Sequence, residues 1–136
     1  MEGKVAIITG SAKGIGRSTA LAYGREGAKI LVNSRHDGDV EHTTQEILRD
    51  GGEALGVAGD VSRKEDVDRL VEKAISQWGS VDVLVNNAAI LGPLESVGWD
   101  DMDAWRLTLE IDLIGPYLML HEVLPIMVKQ RRGKVI

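Results

Sequence analysis

A glycine-rich turn joins an apolar strand to a helix near the start of this chain. The strand pattern Val5–Thr9 runs directly into Gly10-Ser-Ala-Lys-Gly-Ile-Gly16, and a helical pattern follows. Glycine has no Cβ, so Gly10 permits a tight turn, while Gly14 and Gly16 let a ligand or a facing strand approach the backbone closely. Free amide N–H groups and the positive end of the helix dipole then face an anion, most naturally a pyrophosphate.

Apolar strands alternate with helical patterns along the whole chain. After the first strand, strand patterns cover Lys29–Asn33, Ala54–Ala58 and Val81–Val85, and a fifth begins within Arg131–Ile136. Unbroken apolar strands of this kind predict a parallel sheet with helices on both faces. The predicted fold class is therefore α/β, a Rossmann-type doubly wound parallel sheet that is truncated near the start of the fifth strand. We interpret residues 1–136 as a single domain.

Two of the helical patterns carry boundary signals. Ser62 and Glu65 form a capping-box pattern, which predicts a helix start at that point. A long helical stretch covers about Trp99–Gln130, and it contains Gly115-Pro116 and Pro125. Because proline lacks an N–H, we expect these two places to bend or break the long helix.

The composition excludes several classes of protein and of site. The net charge of −5 argues against a nucleic acid or a membrane surface as the main partner. The chain has no cysteine, which excludes disulfides, thiolate catalysis and cysteine-based zinc sites. The spacing of His36, His42 and His121 is not that of metal ligands, so we predict no metal site. We find neither a run of about 18 apolar residues nor a signal-peptide pattern, and we expect a cytoplasmic protein.

Four groups of unusual residues follow the predicted strands. They are Gly10–Gly16, Ser34-Arg35, Asp60 and Asn86–Ala89, each at the carboxyl end of a different strand. Right-handed crossovers bring the carboxyl ends of parallel strands to one edge of the sheet, where ligands bind. The sequence therefore predicts one binding site at that edge.

Together these residues resemble the classical short-chain dehydrogenase/reductase family. The resemblance is carried by Thr9–Gly16, Gly59–Val61, Val81–Ala89 and Glu110–Gly115, in the family's order and over essentially the whole chain. The glycine spacing departs from G-x-G-x-x-G and agrees with the family's own variant. The resemblance implies the N-terminal cofactor-binding portion, a single NAD(P)-binding domain, of an oxidoreductase. Such an enzyme transfers a hydride between a nicotinamide cofactor and a carbonyl or secondary alcohol.

The resemblance also implies a set of cofactor-binding residues. The glycine turn would hold the pyrophosphate, Asp60 would bond the adenine amino group beside Val61, and Asn87–Ala89 would line the adenosine and ribose region. Two structural alternatives remain open: Asp60 caps the helix near Ser62, or the two asparagines satisfy turn backbone groups. The implied residues are Gly10, Ser11, Lys13, Gly14, Ile15, Gly16, Ser34, Arg35, Asp60, Val61, Asn87, Ala88 and Ala89.

The residues after the second strand bear on the choice of cofactor. NAD-selective folds of this type place an acidic residue there, whereas this chain has Ser34 followed by Arg35. A guanidinium group can bind a 2′-phosphate through two hydrogen bonds, and Lys13 adds a second positive charge. We therefore predict that NADP(H) is preferred over NAD(H). Asp37 and Asp39 lie nearby and would partly offset this basic site, and solvated surface charge is the alternative for both cations.

The family's catalytic Ser, Tyr and Lys are not recognisable in this chain. Its Tyr and Lys stand four positions apart, but Tyr23 and Tyr117 are followed at that spacing by Gly27 and His121. We interpret both tyrosines as packing residues and expect residues 1–136 alone to be inactive. A Ser and a Tyr-x-x-x-Lys elsewhere would favour the enzyme over a non-catalytic dinucleotide-binding module of the same fold. A sugar-nucleotide epimerase is a third hypothesis, which Asn86–Ala89 weakens.

One candidate catalytic position remains, at Asp112. The segment Glu110–Gly115 is similar to one in which the family commonly has Asn at this place, where it helps to hold a water in the proton relay. Asp is nearly the same size but lacks the amide donor. Either Asp112 takes part in that relay or it only shapes a bend in the helix.

The resemblance further implies a homo-oligomer, a tetramer or a dimer, that acts on a small-molecule substrate. The long helix from about Asp112 to Gln130 would form the contact between subunits. Its apolar residues Leu118, Met119, Val123 and Met127 are candidates for this interface, although packing in the core explains them equally well.

Overall fold

The structure is a computed structural model that describes residues 1–96, 99 and 101–136. Within these residues five strands form one sheet, in which all neighbouring strands are parallel. The strands are β1 (Val5–Ile8), β2 (Lys29–Ser34), β3 (Glu53–Ala58), β4 (Val83–Val85) and β5 (Lys134–Val135). Their order across the sheet is β3-β2-β1-β4-β5. The order reverses between β1 and β4, and such a reversal opens a crevice at the carboxyl ends of the two strands.

Helices cover both faces of the sheet, as the alternating pattern predicts. They are α1 (Gly14–Arg25), α2 (Asp37–Arg49), α3 (Lys64–Trp78), α4 (Met102–Leu109) and α5 (Gly115–Gln130). Helices α1 and α2 pack together against one face, and α3 and α5 pack together against the other. The prediction of a Rossmann-type doubly wound sheet is therefore confirmed.

The strand β1 shows why its sequence is apolar throughout. Successive residues of a strand point to opposite faces, so Ala6 and Ile8 join the core beside α1 and α2, while Ile7 joins the core beside α3 and α5. All three side chains are fully buried. A strand with two buried faces has no place for the alternation of apolar and polar residues seen in half-exposed strands.

The start of α3 differs from the prediction. Its N-cap is Arg63, which has an extended backbone and makes no capping hydrogen bond with its side chain. The hydroxyl and the amide of Ser62 both donate to Oδ1 of Asp60, at 2.7 and 3.0 Å. The capping box of Ser62 and Glu65 is therefore wrong, because the Ser62 hydroxyl is already used by the preceding turn.

The long helical stretch predicted over Trp99–Gln130 begins later than expected. Helix α4 starts at Met102, where the side chain of Asp101 accepts a hydrogen bond of 2.9 Å from the amide of Asp103. This side chain satisfies one of the free N–H groups of the first turn, which explains the start. Asp100, which the prediction included, lies outside the described residues.

A π-helical turn, Glu110–Ile114, separates α4 from α5 and ends at Gly115-Pro116. Because Pro116 has no N–H, the carbonyl of Asp112 lacks the partner that an α-helix would supply four residues later. The expected distortion at this proline is thus confirmed as a widened turn. Pro125 lies inside α5, which remains helical through to Gln130.

The inward face of α5 belongs to the core. Met119, Val123 and Met127 are buried against the sheet, and Leu118 packs beside them. Of the two explanations for these residues, core packing is correct and the interface is wrong. The large apolar side chains that α4, the π-turn and α5 leave exposed are others, namely Met102, Trp105, Leu107, Leu109, Leu113, Ile114, Tyr117, Leu124 and Val128.

The apolar side chains of this helical stretch also bear on the expectation that the chain contains no segment able to cross a membrane. The continuous helical stretch Met102–Gln130 is long and apolar enough to cross a membrane by length and composition, contrary to our reading of the sequence. Core helices of folded domains pass the same test, and α5 packs against the sheet through its buried side chains. We therefore assign the inner face of α5 to the core of the domain, whereas α4 has no buried residue.

A buried carboxylate holds the turn before β5 against the start of β4. Oδ1 of Asp82 accepts a hydrogen bond of 2.7 Å from Nε of Arg132, and Oδ2 accepts one of 3.1 Å from the amide of Val5. Burial acts to raise the pKa of Asp82, but the hydrogen bonds from Arg132 and Val5 outweigh it and hold the pKa below its usual value. The ionised form of Asp82 therefore stabilises the folded protein.

We predict that Asp82→Asn lowers the free energy of unfolding of the intact natural protein at pH 7 by about 1.5–3 kcal/mol, since it weakens hydrogen bonds to a charged group. The pKa of Asp82 is lowered on folding. Its stabilisation is thus complete above the unfolded pKa of about 3.9, and it is lost as the pH falls through the folded pKa. Urea unfolding followed by tryptophan fluorescence at pH 7 and pH 3 measures both effects.

Asp50→Asn is the matched control, because Asp50 pairs with Arg25 at 3.0 Å and both side chains are well exposed. Exposed pairs contribute about 0–1 kcal/mol. Equal losses of stability in the two variants at pH 7 would contradict the role given to Asp82.

Candidate functional site

A cavity of about 340 Å³ lies at the carboxyl ends of the strands. It is placed at the crevice that the reversal of strand order predicts. Ten of the thirteen implied cofactor-binding residues line it, and Ser11, Ile15 and Gly16 do not. Its lining consists of Gly10, Lys13, Gly14, Asn33, Ser34, Arg35, Gly59, Asp60, Val61, Asn87, Ala88, Ala89, Ile90 and Ile111.

Two glycines allow the turn after β1 to approach the loop after β4. Gly10 has φ +62°, and a Cβ there would lie 2.8 Å from Cα of Ala88. A Cβ on Gly16 would overlap the side-chain amide of Asn87 and would lie 2.6 Å from the Gly10 carbonyl oxygen. The close neighbour of Gly16 is thus protein and not a ligand. Gly14 has open space around it and faces the cavity.

The first turn of α1 offers unpaired donors at the cavity. Its N-cap, Lys13, makes no capping hydrogen bond with its side chain, and the turn contains no acidic residue. Among the described residues, no acceptor is seen for the amides of Gly14, Ile15 or Gly16. A helix start of this kind binds anions, because its N–H groups and its dipole both favour negative charge.

The hydroxyl of Thr9 joins the two loops that border the crevice. It accepts hydrogen bonds of 3.0 Å from the amides of both Asn87 and Ala88, and it donates to the Val85 carbonyl at 3.3 Å. The side-chain amide of Asn87 donates in return to the carbonyls of Thr9 and Gly10, at 2.9 and 3.1 Å. The Asn87 side chain therefore satisfies turn backbone groups, as one alternative held for both asparagines, while Asn87 still lines the cavity. The buried side-chain oxygen of Asn86 makes no hydrogen bond with a described residue, so the alternative is not met at that oxygen.

Ser11 has an internal role that its position in the motif does not reveal. Its side chain is fully buried, donates to the Ile8 carbonyl at 2.6 Å and accepts from the Asn33 amide at 3.0 Å. Asn33 in turn donates to the Gly59 carbonyl at 3.0 Å and lines the cavity. Sequence reasoning missed Asn33, although an asparagine at the end of an otherwise apolar strand is a usable signal.

The two carboxylate oxygens of Asp60, which lines the cavity, differ in their hydrogen-bond partners. Its Oδ1 accepts both hydrogen bonds from Ser62, which lies in the turn before α3. The N-cap of α3 is Arg63, so the alternative in which Asp60 caps this helix is wrong. Oδ2 of Asp60 makes no hydrogen bond with a described residue, so one oxygen of this cavity-lining carboxylate is available. The amide of Asp60 donates to Asp66 at 2.9 Å, and this hydrogen bond is the main reason that the pKa of Asp66 is lowered.

The two predicted cations, Arg35 and Lys13, line the same cavity, but only Lys13 is held in an ion pair with a described residue. Arg35 is exposed, follows Ser34 at the end of β2, and makes no hydrogen bond or ion pair with a described residue. Lys13 is paired with Asp39, with 2.7 Å between Nζ and Oδ2. Both cations line the cavity, but the sequence did not reveal the pairing of Lys13 with Asp39.

Asp112 does not line the cavity, although it supports one wall. Its Oδ1 accepts a hydrogen bond of 3.0 Å from the amide of Ile90, which lines the cavity together with Ile111. Sequence reasoning missed both isoleucines. Asp112 also lies within the π-turn, so the bend and the contact with the cavity wall occur at one residue. Its catalytic role stays a prediction.

The side chain of Ile15 is 81% exposed and lies outside the cavity, in a shallow depression along α1. Tyr23 is partly buried against the core, as expected. Tyr117 is 60% exposed, and its ring lies 6.2 Å from that of His121. The interpretation of Tyr117 as a packing residue is therefore wrong. Neither tyrosine faces the cavity.

Comparison with known sequences settles the family. The family described as short chain dehydrogenase matches residues 4–136. This chain belongs to the short-chain dehydrogenase family. Among curated family members it is 36% identical to a short chain dehydrogenase of Pseudocercospora fijiensis, over 100% of this chain and 44% of that protein. It is 33% identical to a 3-oxoacyl-[acyl-carrier-protein] reductase of Synechocystis, over 98% of this chain and 54% of that protein.

Solved structures of the family agree closely with this fold. A metagenomic short-chain oxidoreductase in complex with NADP matches with a TM-score of 0.93 and 30% identity, over 98% of this chain and 61% of that one. A 3-ketoacyl-ACP reductase from Sinorhizobium meliloti matches with a TM-score of 0.93 and 32% identity, over 96% and 51%. The chain thus spans about half the length of the curated family members it matches.

We predict that Gly16→Ala lowers the melting temperature of the intact protein by several degrees, because the added methyl group must displace Asn87 or the Gly10 carbonyl. Gly38→Ala in α2 is the control, since a Cβ there meets nothing within 4 Å. Replacing a helical glycine with alanine is worth up to about 1 kcal/mol, so Gly38→Ala should raise the melting temperature. Thermal unfolding followed by circular dichroism distinguishes the two, and an equal response would refute the close approach at Gly16.

Proposed function

We propose that this chain forms the cofactor-binding part of an NADP(H)-dependent oxidoreductase, which transfers a hydride between the nicotinamide and a carbonyl or secondary alcohol. The main support is that four groups of residues, far apart in sequence, converge on one cavity at the switch point between β1 and β4. A small-molecule substrate is part of the proposal. Two matched proteins are named as reductases of 3-oxoacyl or 3-ketoacyl groups, which supports a carbonyl substrate.

The residues of the cavity fit a dinucleotide. Unpaired amides at the start of α1 suit a pyrophosphate, and the open space beside Gly14 leaves room for it. The available oxygen of Asp60 can accept a hydrogen bond from an adenine amino group, with Val61 beside it. Asn87, Ala88 and Ala89 would line the adenosine and ribose region. When bound, the nicotinamide supplies the hydride chemistry that no side chain can provide.

The preference for NADP(H) rests on charge at the end of β2. A carboxylate directly after this strand would favour two ribose hydroxyls, but Ser34 and Arg35 occupy that place. Arg35 has no partner among the described residues, so its guanidinium can pair with a phosphate without breaking an existing ion pair. We therefore assign the larger share of 2′-phosphate recognition to Arg35.

We predict that Arg35→Ala weakens NADPH binding by the intact protein about tenfold or more, since a hydrogen bond to a charged group contributes about 1.5–3 kcal/mol. NADH binding should change less than twofold, because that cofactor lacks the 2′-phosphate. Titration of both cofactors, followed by nucleotide fluorescence, measures the four dissociation constants.

Arg63→Ala is the control for this experiment. Arg63 is exposed and lines the neighbouring groove without lining the cavity, so it tests whether loss of any nearby positive charge has the same effect. Equal NADPH affinity in wild type and Arg35→Ala would overturn the proposed preference.

Turnover by the intact protein with a carbonyl or alcohol substrate distinguishes the proposed enzyme from a non-catalytic dinucleotide-binding module. Residues 1–136 alone should not turn over, because no Tyr-x-x-x-Lys occurs among them. We also propose that the protein acts in the cytoplasm. This location stays a prediction.

We further propose a homo-oligomer, a dimer or a tetramer, formed through the outer face of the long helical stretch. Leu113, Tyr117, Leu124 and Val128 are exposed on this stretch. Large apolar side chains that are exposed side by side mark interaction surfaces on folded domains.

We predict that Leu124→Glu shifts the intact protein toward monomers, because it places a charge within an apolar contact. Light scattering after size-exclusion chromatography reports the mass. Leu48→Glu on α2 is the control, since Leu48 is similarly exposed on the opposite face of the sheet. An unchanged mass for Leu124→Glu, with an oligomeric wild type, would place the interface elsewhere.

A further inference from the structure

We propose that Asp39 is a specificity-determining residue that weakens the preference for NADP(H) by occupying Lys13. The inference rests on the proposed function, and it assigns unequal roles to the two cations at the cavity. Arg35 would recognise the 2′-phosphate directly. Lys13 would contribute only to the extent that it leaves Asp39.

The ion pair joins the starts of two helices. Lys13 is the N-cap of α1, and Asp39 lies in the first turn of α2. Nζ and Oδ2 are 2.7 Å apart, and the Lys13 side chain is 74% exposed while that of Asp39 is 30% exposed. Lys13 lines the cavity, so the carboxylate competes directly with any anion that the lysine could meet there.

A neighbouring hydrogen bond holds the two helices at this distance. The hydroxyl of Thr43, one helical turn after Asp39, donates to the carbonyl of Ala12, the residue before Lys13, at 3.2 Å. The Thr43 side chain is fully buried. This hydrogen bond links α2 to the residue before the N-cap of α1. It therefore keeps the backbone of Asp39 close to that of Lys13.

The charges around the pair reinforce it. The pKa of Asp39 is lowered, mainly by its hydrogen bond with Lys13, so the carboxylate is ionised at neutral pH. The 2′-phosphate carries close to two negative charges at that pH, so Asp39 repels it in addition to holding the lysine. NAD(H) has a neutral 2′-hydroxyl in place of the phosphate, so neither the repulsion by Asp39 nor the loss of Lys13 affects its binding. Asp39 therefore acts selectively against the phosphorylated cofactor.

Asp37 offers a matched control for this argument. It lies in the same first turn of α2 and carries the same charge, but it makes no hydrogen bond or ion pair with a described residue. It lines the neighbouring groove and not the cavity. Asp37→Asn therefore removes one negative charge from this helix start without releasing Lys13.

The test compares NADPH and NADH affinities of the intact protein in four variants: Asp39→Asn, Asp37→Asn, Lys13→Met and Lys13→Met with Asp39→Asn. Asp39→Asn should tighten NADPH binding about two- to fivefold, since an exposed ion pair contributes at most about a fivefold effect. NADH binding should be unchanged. Asp37→Asn should tighten NADPH binding by less than about 1.5-fold, since screening weakens charges that make no contact.

The Lys13→Met background separates the effect of the Lys13–Asp39 ion pair from the effect of the negative charge of Asp39 alone. With Lys13→Met, adding Asp39→Asn should tighten NADPH binding clearly less than Asp39→Asn does in the wild type, because only the direct repulsion between Asp39 and the phosphate remains to be removed. An equal gain from Asp39→Asn with and without Lys13 would overturn the proposal, and so would equal gains from Asp37→Asn and Asp39→Asn.

The two proposals fail in different ways. If Arg35→Ala leaves NADPH affinity unchanged, the preference for NADP(H) is wrong. If Arg35→Ala weakens NADPH binding while Asp39→Asn has no effect, the preference stands and only the role of Asp39 is refuted.

Discussion

The hydroxyl of Thr9 is the contact on which the rest of the site depends. Two loops border the crevice, one after β1 and one after β4, and they are separated by about 75 residues of chain. Without a link between them, the reversal of strand order would leave only a gap. Thr9 accepts from the amides of Asn87 and Ala88, and the side chain of Asn87 returns hydrogen bonds to the carbonyls of Thr9 and Gly10. Because Gly16 has no Cβ, it leaves room for the side-chain amide of Asn87 beside the Gly10 carbonyl oxygen.

Much of this site could be predicted from sequence, because position along the chain decides which residues reach the edge of a parallel sheet. Gly10, Arg35, Asp60 and Asn87 all follow apolar strands, and right-handed crossovers bring the ends of such strands together. The distortion at Gly115-Pro116 could be predicted too, since a proline removes a helical donor wherever it stands. These inferences depend on chain order and local chemistry alone.

The direction of individual side chains could not be predicted in this way. Ser11 and Ile15 share one motif, yet Ser11 is buried in hydrogen bonds and Ile15 faces solvent, because φ and ψ within the turn decide where each points. The capping box failed for a similar reason, since Asp60 had already taken the hydroxyl of Ser62. The pairing of Lys13 with Asp39 depends on how α1 and α2 pack, which no local pattern records.

The hydrogen bond between Ile90 and Asp112 connects the cavity to the long helical stretch. The wall residue Ile90 donates its amide to Asp112, and Asp112 lies in the π-turn just before Pro116. The turn is wide because the helix cannot close its usual hydrogen bond at that proline. Beyond it, α5 is fixed on its inner side by the core and is exposed and apolar on its outer side. One residue, Asp112, therefore belongs both to the π-turn and to the support of the cavity wall.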